Sequence, residues 1–130
     1  MSQHSEVLKQ SLEQLAETEL DITLPVYQRF EAVAPDACRH LAVMDERMRG
    51  RMLEQVINLL MGETEDEYLD FETRMHRGYG ASPALYRDLF QSVKHVVREE
   101  LGNCWSAQQE VAWDDSIDHT LAAIEHAYSS

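Results

Sequence analysis

The stretch Leu69–Tyr86, LDFETRMHRGYGASPALY, decides how the rest of the chain is read. One histidine, His76, closes an amphipathic run whose apolar positions are Leu69, Phe71 and Met75. An Arg-Gly-Tyr-Gly turn follows, and then Ser82-Pro83, a cap and a first-turn proline that open a new helical pattern. A histidine at a helix end, with neighbours held by a glycine-rich turn and a proline, is positioned to present one ring nitrogen to a bound group. The plainer alternative is that it only ends the helix, as a hydrogen-bonding or cationic side chain near the last carbonyls. A single histidine taken alone favours the plainer alternative, so the surrounding chain has to decide.

Downstream, Leu85, Leu89, Phe90, Val93, Val96 and Val97 form the apolar stripe of a helix from Pro83 to about Leu101, ended by Leu101-Gly102-Asn103. A final helix starts near Ser106, with Gln109 three residues on as its capping partner. It runs through Val111, Trp113, Ile117, Leu121, Ile124 and Tyr128. Upstream, Met44, Met48, Met52, Val56 and Leu59/Leu60 recur every three or four residues and predict a helix over about Asp45–Met61, ended by Gly62. Arg47, Arg49 and Arg51 lie on its flanks, and the acidic run Glu63–Glu67 opens the element that leads to His76. A first helix is expected over about Ser5–Thr18. A second starts at Asp21 to Pro25, with Asp21 or Thr23 as cap and Leu24, Tyr27, Phe30 and Val33 or Ala34 as its apolar face. Ala34-Pro35-Asp36 breaks it, and Ala37, Cys38 and Leu41 form a short further turn.

No segment alternates with a two-residue period, so the class is all-α. The 130 residues are 44% hydrophobic and carry no repeat or linker, which predicts a single domain over 1–130 with a real core. Six or seven helices on short loops suit an orthogonally packed fold with room for a ligand better than an up-and-down bundle.

Twenty-four acids against eleven bases, a formal charge of -13, argue against nucleic acid and against an anionic membrane surface as partners. No apolar run approaches the length of a transmembrane helix, and no secretion signal is seen at the N-terminus, so a cytoplasmic location is expected. Cys38 and Cys104 sit in no metal pattern and read as reduced core thiols.

The line Arg74-Met75-His76, Tyr79-Gly80-Ala81, Pro83, Tyr86, then Leu101-Gly102, Trp105 and Ala112-Trp113, resembles bacterial single-domain globins and the haem domain of flavohaemoglobins in order and spacing. Val26–Ala37, VYQRFEAVAPDA, looks like that family's second helix, and Arg51-Met52 like the basic-apolar pair of its distal helix. The resemblance implies a globin-like orthogonal helical sandwich of about six to eight helices. It implies haem b, with His76 as the proximal ligand to iron, and oxygen or another diatomic gas as the ligand. Tyr86 matches the tyrosine that helps to orient the proximal histidine, and Tyr79 belongs to the same motif. The family's late glutamate falls at Tyr128 by spacing from Trp113, with Glu125 one turn earlier.

On the distal side, Tyr27 matches the tyrosine that hydrogen-bonds the bound ligand. The usual His or Gln falls at Met48, which has no proton to donate. Leu41 replaces the phenylalanine that wedges the haem, and Arg51 or Arg47 can reach the propionates or swing in. These departures leave a second ligand open, a linear tetrapyrrole such as biliverdin. A third reading is a cofactor-free sensory or interaction module. No flavin or nicotinamide domain is present, so the chain is not expected to be an enzyme by itself; any dioxygenase-type turnover would need a partner reductase. His40, His95, His119 and His126 lie off the motif; His95 and His119 are expected to be partly exposed helix residues without a role, and Met44 and Met52 are expected to fill core.

Overall fold

The computed structural model describes residues 3–37, 42, 44–62 and 82–129. Among them all regular structure is helical, in five α-helices: α1 (Gln3–Ala16), α2 (Thr23–Val33), α3 (Glu46–Leu60), α4 (Pro83–Leu101) and α5 (Ala107–Ser129). Two 3₁₀ turns, Pro35–Ala37 and Gly102–Cys104, follow α2 and α4. The all-α expectation is met. The helix expected before His76 lies outside the described residues. No helix among those described is long and apolar enough to cross a membrane.

Local chemistry sets most of the helix ends. Asp45 caps α3 by accepting from the Met48 N–H at 2.8 Å, and Ser82 caps α4 from the Leu85 N–H at 3.4 Å with Pro83 behind it. Ser106 and Gln109 satisfy each other's backbone N–H groups at 3.1 and 2.9 Å, the reciprocal box that starts α5. Gly62 stops α3 at φ +74°, a conformation that costs a residue with a Cβ.

α1 packs on α5 and α4, and α2 on α4, all partners distant in sequence; α4 also packs on its neighbour α5, and α3 rests on α5 and α2. The centre is Trp113, wholly buried among Leu8, Val97, Ile117 and the rest of one continuous core. Its indole N–H donates to Ser11 Oγ at 3.3 Å, and Ser11 in turn donates to the Val7 carbonyl at 3.0 Å. That explains a serine buried in the apolar face of α1. Met44 and Met52 pack against the core as expected.

Two expectations are corrected. The inward face of α2 carries Val26, Tyr27 and Phe30, flanked by Ile22 and Ala34, so Leu24 lies 65% exposed and Val33 also faces out. Positions 22, 26, 30 and 34 share one stripe at helical spacing, and Leu24 falls opposite it. Cys104 is a free thiol but exposed rather than core, because it ends the turn that carries the chain round the outside from α4 to α5. Cys38 lies outside the described residues.

Candidate functional site

Tyr27 is the sequence-selected site residue that the structure defines most fully. Val26 and Phe30 flank it on the buried face of α2, leaving the ring 1% exposed. Its hydroxyl donates to the Arg49 backbone carbonyl in α3 at 2.9 Å. The Arg49 guanidinium carbon stands 5.7 Å from the ring centroid, within cation–π range. Burial pushes the phenol well above its ordinary value, against a smaller opposing pull from Arg49, so the proton stays on the oxygen. Arg49 is therefore half-buried against Tyr27, whereas Arg47 and Arg51 on either side of it are exposed, as a solvated flank should be.

Met48, Arg51 and Met52 of the expected distal set lie on α3 with Arg49. Met48, in the first turn of α3, is 49% exposed, and its backbone N–H is taken by Asp45. Met52, one turn on, is half-buried against the core. Tyr27 thus meets the Met48–Met52 segment through Arg49. On α4, Tyr86 is half-buried in the first turn, its ring 6.1 Å from Phe90 at a tilt of 53°. His76, Tyr79 and Leu41 lie outside the described residues, as does the side chain of Tyr128; Glu125 is exposed. Among the described residues no group of three or more His, Cys, Asp or Glu is placed to hold a metal ion.

α3 is held at its far end by α5, where Ser116 Oγ donates to the Leu60 carbonyl and Thr120 reaches the Leu59 carbonyl at a long 3.5 Å. The Leu59 carbonyl also accepts from the Gly62 N–H at 3.0 Å, so the contacts of Ser116 and Thr120 add to the last-turn hydrogen bonds that end α3. At the other side of the His76 stretch, Ser82 and Pro83 open α4. Both flanks of the His76 stretch are therefore anchored by hydrogen bonds or a proline.

A charged cluster that sequence reading missed joins α4 to α5. Lys94, 9% exposed, contacts the Glu110 carboxylate and lies 2.6 Å from Asp114; Arg98 stands 3.5 Å from Glu110. Burial alone would lower the Lys94 ammonium, but hydrogen bonds and attraction from Asp114 and Glu110 outweigh it and hold it above its ordinary value. Lys94 in turn holds the Glu110 carboxyl below the usual range. The signal was a lysine inside the apolar stripe of α4, between Val93 and Val96, with two acids four apart on the next helix. Beside it, between α2 and α4, lies an open groove of about 280 Å³ whose polar lining includes Arg29, Asp88, Gln91, His95 and Arg98. Lys94 also lines it, but the acids of α5 already face Lys94 and Arg98, so the groove presents little net charge.

Among the described residues, the fold and site define an all-helical protein with a buried tyrosine that joins α2 to α3. No protein-family model matches the chain, and no curated protein matches it.

Proposed function

We propose that this chain is a globin-type haem protein, binding oxygen or another diatomic ligand at iron held by His76. The observation that carries the reading is the meeting of α2 and α3. Tyr27 and the Met48–Met52 segment, the two parts that the resemblance makes the distal wall, are in contact. The contacts of α1 with α5 and α4, and of α2 with α4, are compatible with the same fold type, since globins also pack helices that are distant in sequence.

The described residues fit a haem in part. Met52 and Tyr86 offer half-buried apolar surface on two helices, and the exposed Arg51 suits a propionate carboxylate at the rim. Among the described residues, the Tyr27 proton is already given to the Arg49 carbonyl, and Met48 and Met52 have none to give. When bound, the iron would supply the gas-binding chemistry, and the chain's part would be to hold it through His76 and to shape its surroundings.

The experiment is reconstitution of the recombinant protein with haem, followed by absorption spectroscopy. An intense Soret band that shifts on reduction and on carbon monoxide addition supports the proposal. A broad red-absorbing chromophore without iron would establish the linear-tetrapyrrole reading instead, and no bound chromophore the cofactor-free module.

A further inference from the structure

We propose that the groove between α2 and α4 binds a small oxyanion, a phosphate or carboxylate group, held by Arg29 from one helix and by His95 and Arg98 from the other. The groove, about 280 Å³, is lined by described residues and does not involve His76. The chain is strongly acidic, but its charges are not spread evenly. α1 and α5 carry seven acids and a single base, Lys9. α2, α3 and α4 carry the other seven lysines and arginines of the described residues, against six acids. An anion repelled by the α1 and α5 side therefore meets weaker repulsion at this groove. The small net charge of the groove also hides an uneven supply of hydrogen bonds. Glu110 and Asp114, which balance Lys94 and Arg98, are not part of the lining. The lining itself is rich in donors. Among the described residues, the side chains of Arg29 and His95 have no ion-pair or hydrogen-bond partner. Arg98 makes one long contact, 3.5 Å to Glu110, and its other N–H groups remain for a ligand. Against these donors the lining sets one carboxylate, Asp88. It stands seven residues before His95, about 10 Å away along α4. Guanidinium forks match the paired oxygens of phosphate and carboxylate. A cation would find only Asp88.

The test titrates inorganic phosphate, and separately acetate, into the full chain without added haem. The pH and ionic strength are fixed, so that screening stays constant. The readout is the imidazole proton signal of His95, assigned by its absence from His95→Gln. With at least one of the two ions the signal should move and saturate, and the ion that binds tells a phosphate site from a carboxylate site. Arg29→Gln should weaken that binding about tenfold, through the loss of one charge-assisted interaction. Lys9→Gln removes the same charge from α1 and should leave the titration unchanged. Both residues are exposed, so neither variant disturbs the core. Asp88→Asn should tighten binding, since it removes the acid of the lining. A His95 signal that moves with neither ion, or moves without saturating, overturns the proposal. Equal weakening in Arg29→Gln and Lys9→Gln also overturns it, because that marks a response to overall charge. Haem uptake enters none of these outcomes, so the groove and the haem reading stand or fall separately.

Discussion

Ser11→Ala is a small change whose cost follows from one contact at the centre of the molecule. Ser11 and Trp113 are both fully buried, on α1 and α5, and the indole N–H reaches Ser11 Oγ at 3.3 Å. Removing the oxygen leaves that N–H in the core with no acceptor, which costs about 1–3 kcal/mol. The contact is longer than the usual N–H···O distance, so the lower end applies, about 1–1.5 kcal/mol. Alanine then returns about 0.5 kcal/mol as a better helix former than serine. The Val7 carbonyl keeps its place in the helix and contributes little. The net loss is about 0.5–1 kcal/mol, a fall of about 2–4 °C in the thermal midpoint for a domain of this size. The assay is thermal and urea unfolding of the four proteins of a double-mutant cycle with Trp113→Phe. On the phenylalanine background no donor is left to orphan, so Ser11→Ala should there be neutral or slightly stabilising. Equal destabilisation on both backgrounds would refute the assignment of the serine's role to the indole.

Lys94→Met should destabilise by about 1 kcal/mol at neutral pH, because both partner carboxylates are exposed enough to regain water. It should also alter the pH profile. The depressed Glu110 carboxyl contributes stability that is full above its unfolded value of 4.5 and is lost as pH falls through the lower folded value. Raised Lys94 contributes stability that is full below 10.5 and is lost as pH rises through its higher folded value. Urea midpoints across pH should show both slopes in the wild type and flatter ones in the variant. Gly62→Ala should cost about 1 kcal/mol, measured by the same unfolding, entirely through backbone strain at φ +74°, since a Cβ there meets nothing within 4 Å.

The helices were legible where their ends are written locally. Ser82, Pro83 and Gly102 predict Pro83–Leu101, and the helix is found there; Asp45 and Gly62 bracket α3 to within a residue. The face of α2 was less legible, because Leu24 and Ile22 are equally apolar and only the packing against α4 selects between them. Ser11 and Lys94 were missed for a different reason. Their partners, Trp113 and the acids of α5, lie 102 residues away for the first and within 20 for the second, on helices whose crossing no local pattern encodes. Cys104 was misjudged because a small apolar residue next to Trp105 reads as core when the path of the turn is unknown. At the candidate site, resemblance singled out Tyr27, but its acceptor is a backbone carbonyl, and a carbonyl has no signature in a sequence. His76, Tyr79 and Leu41 rest on the motif alone.

His76 is therefore where the account is most directly exposed to test. Stoichiometric haem added to the wild-type chain should give a Soret band that responds to reduction and to carbon monoxide. In His76→Ala the band should be lost or shifted, and imidazole added to the variant should restore it by standing in for the missing side chain. A spectrum that is the same in His76→Ala as in the wild type would contradict the proximal assignment.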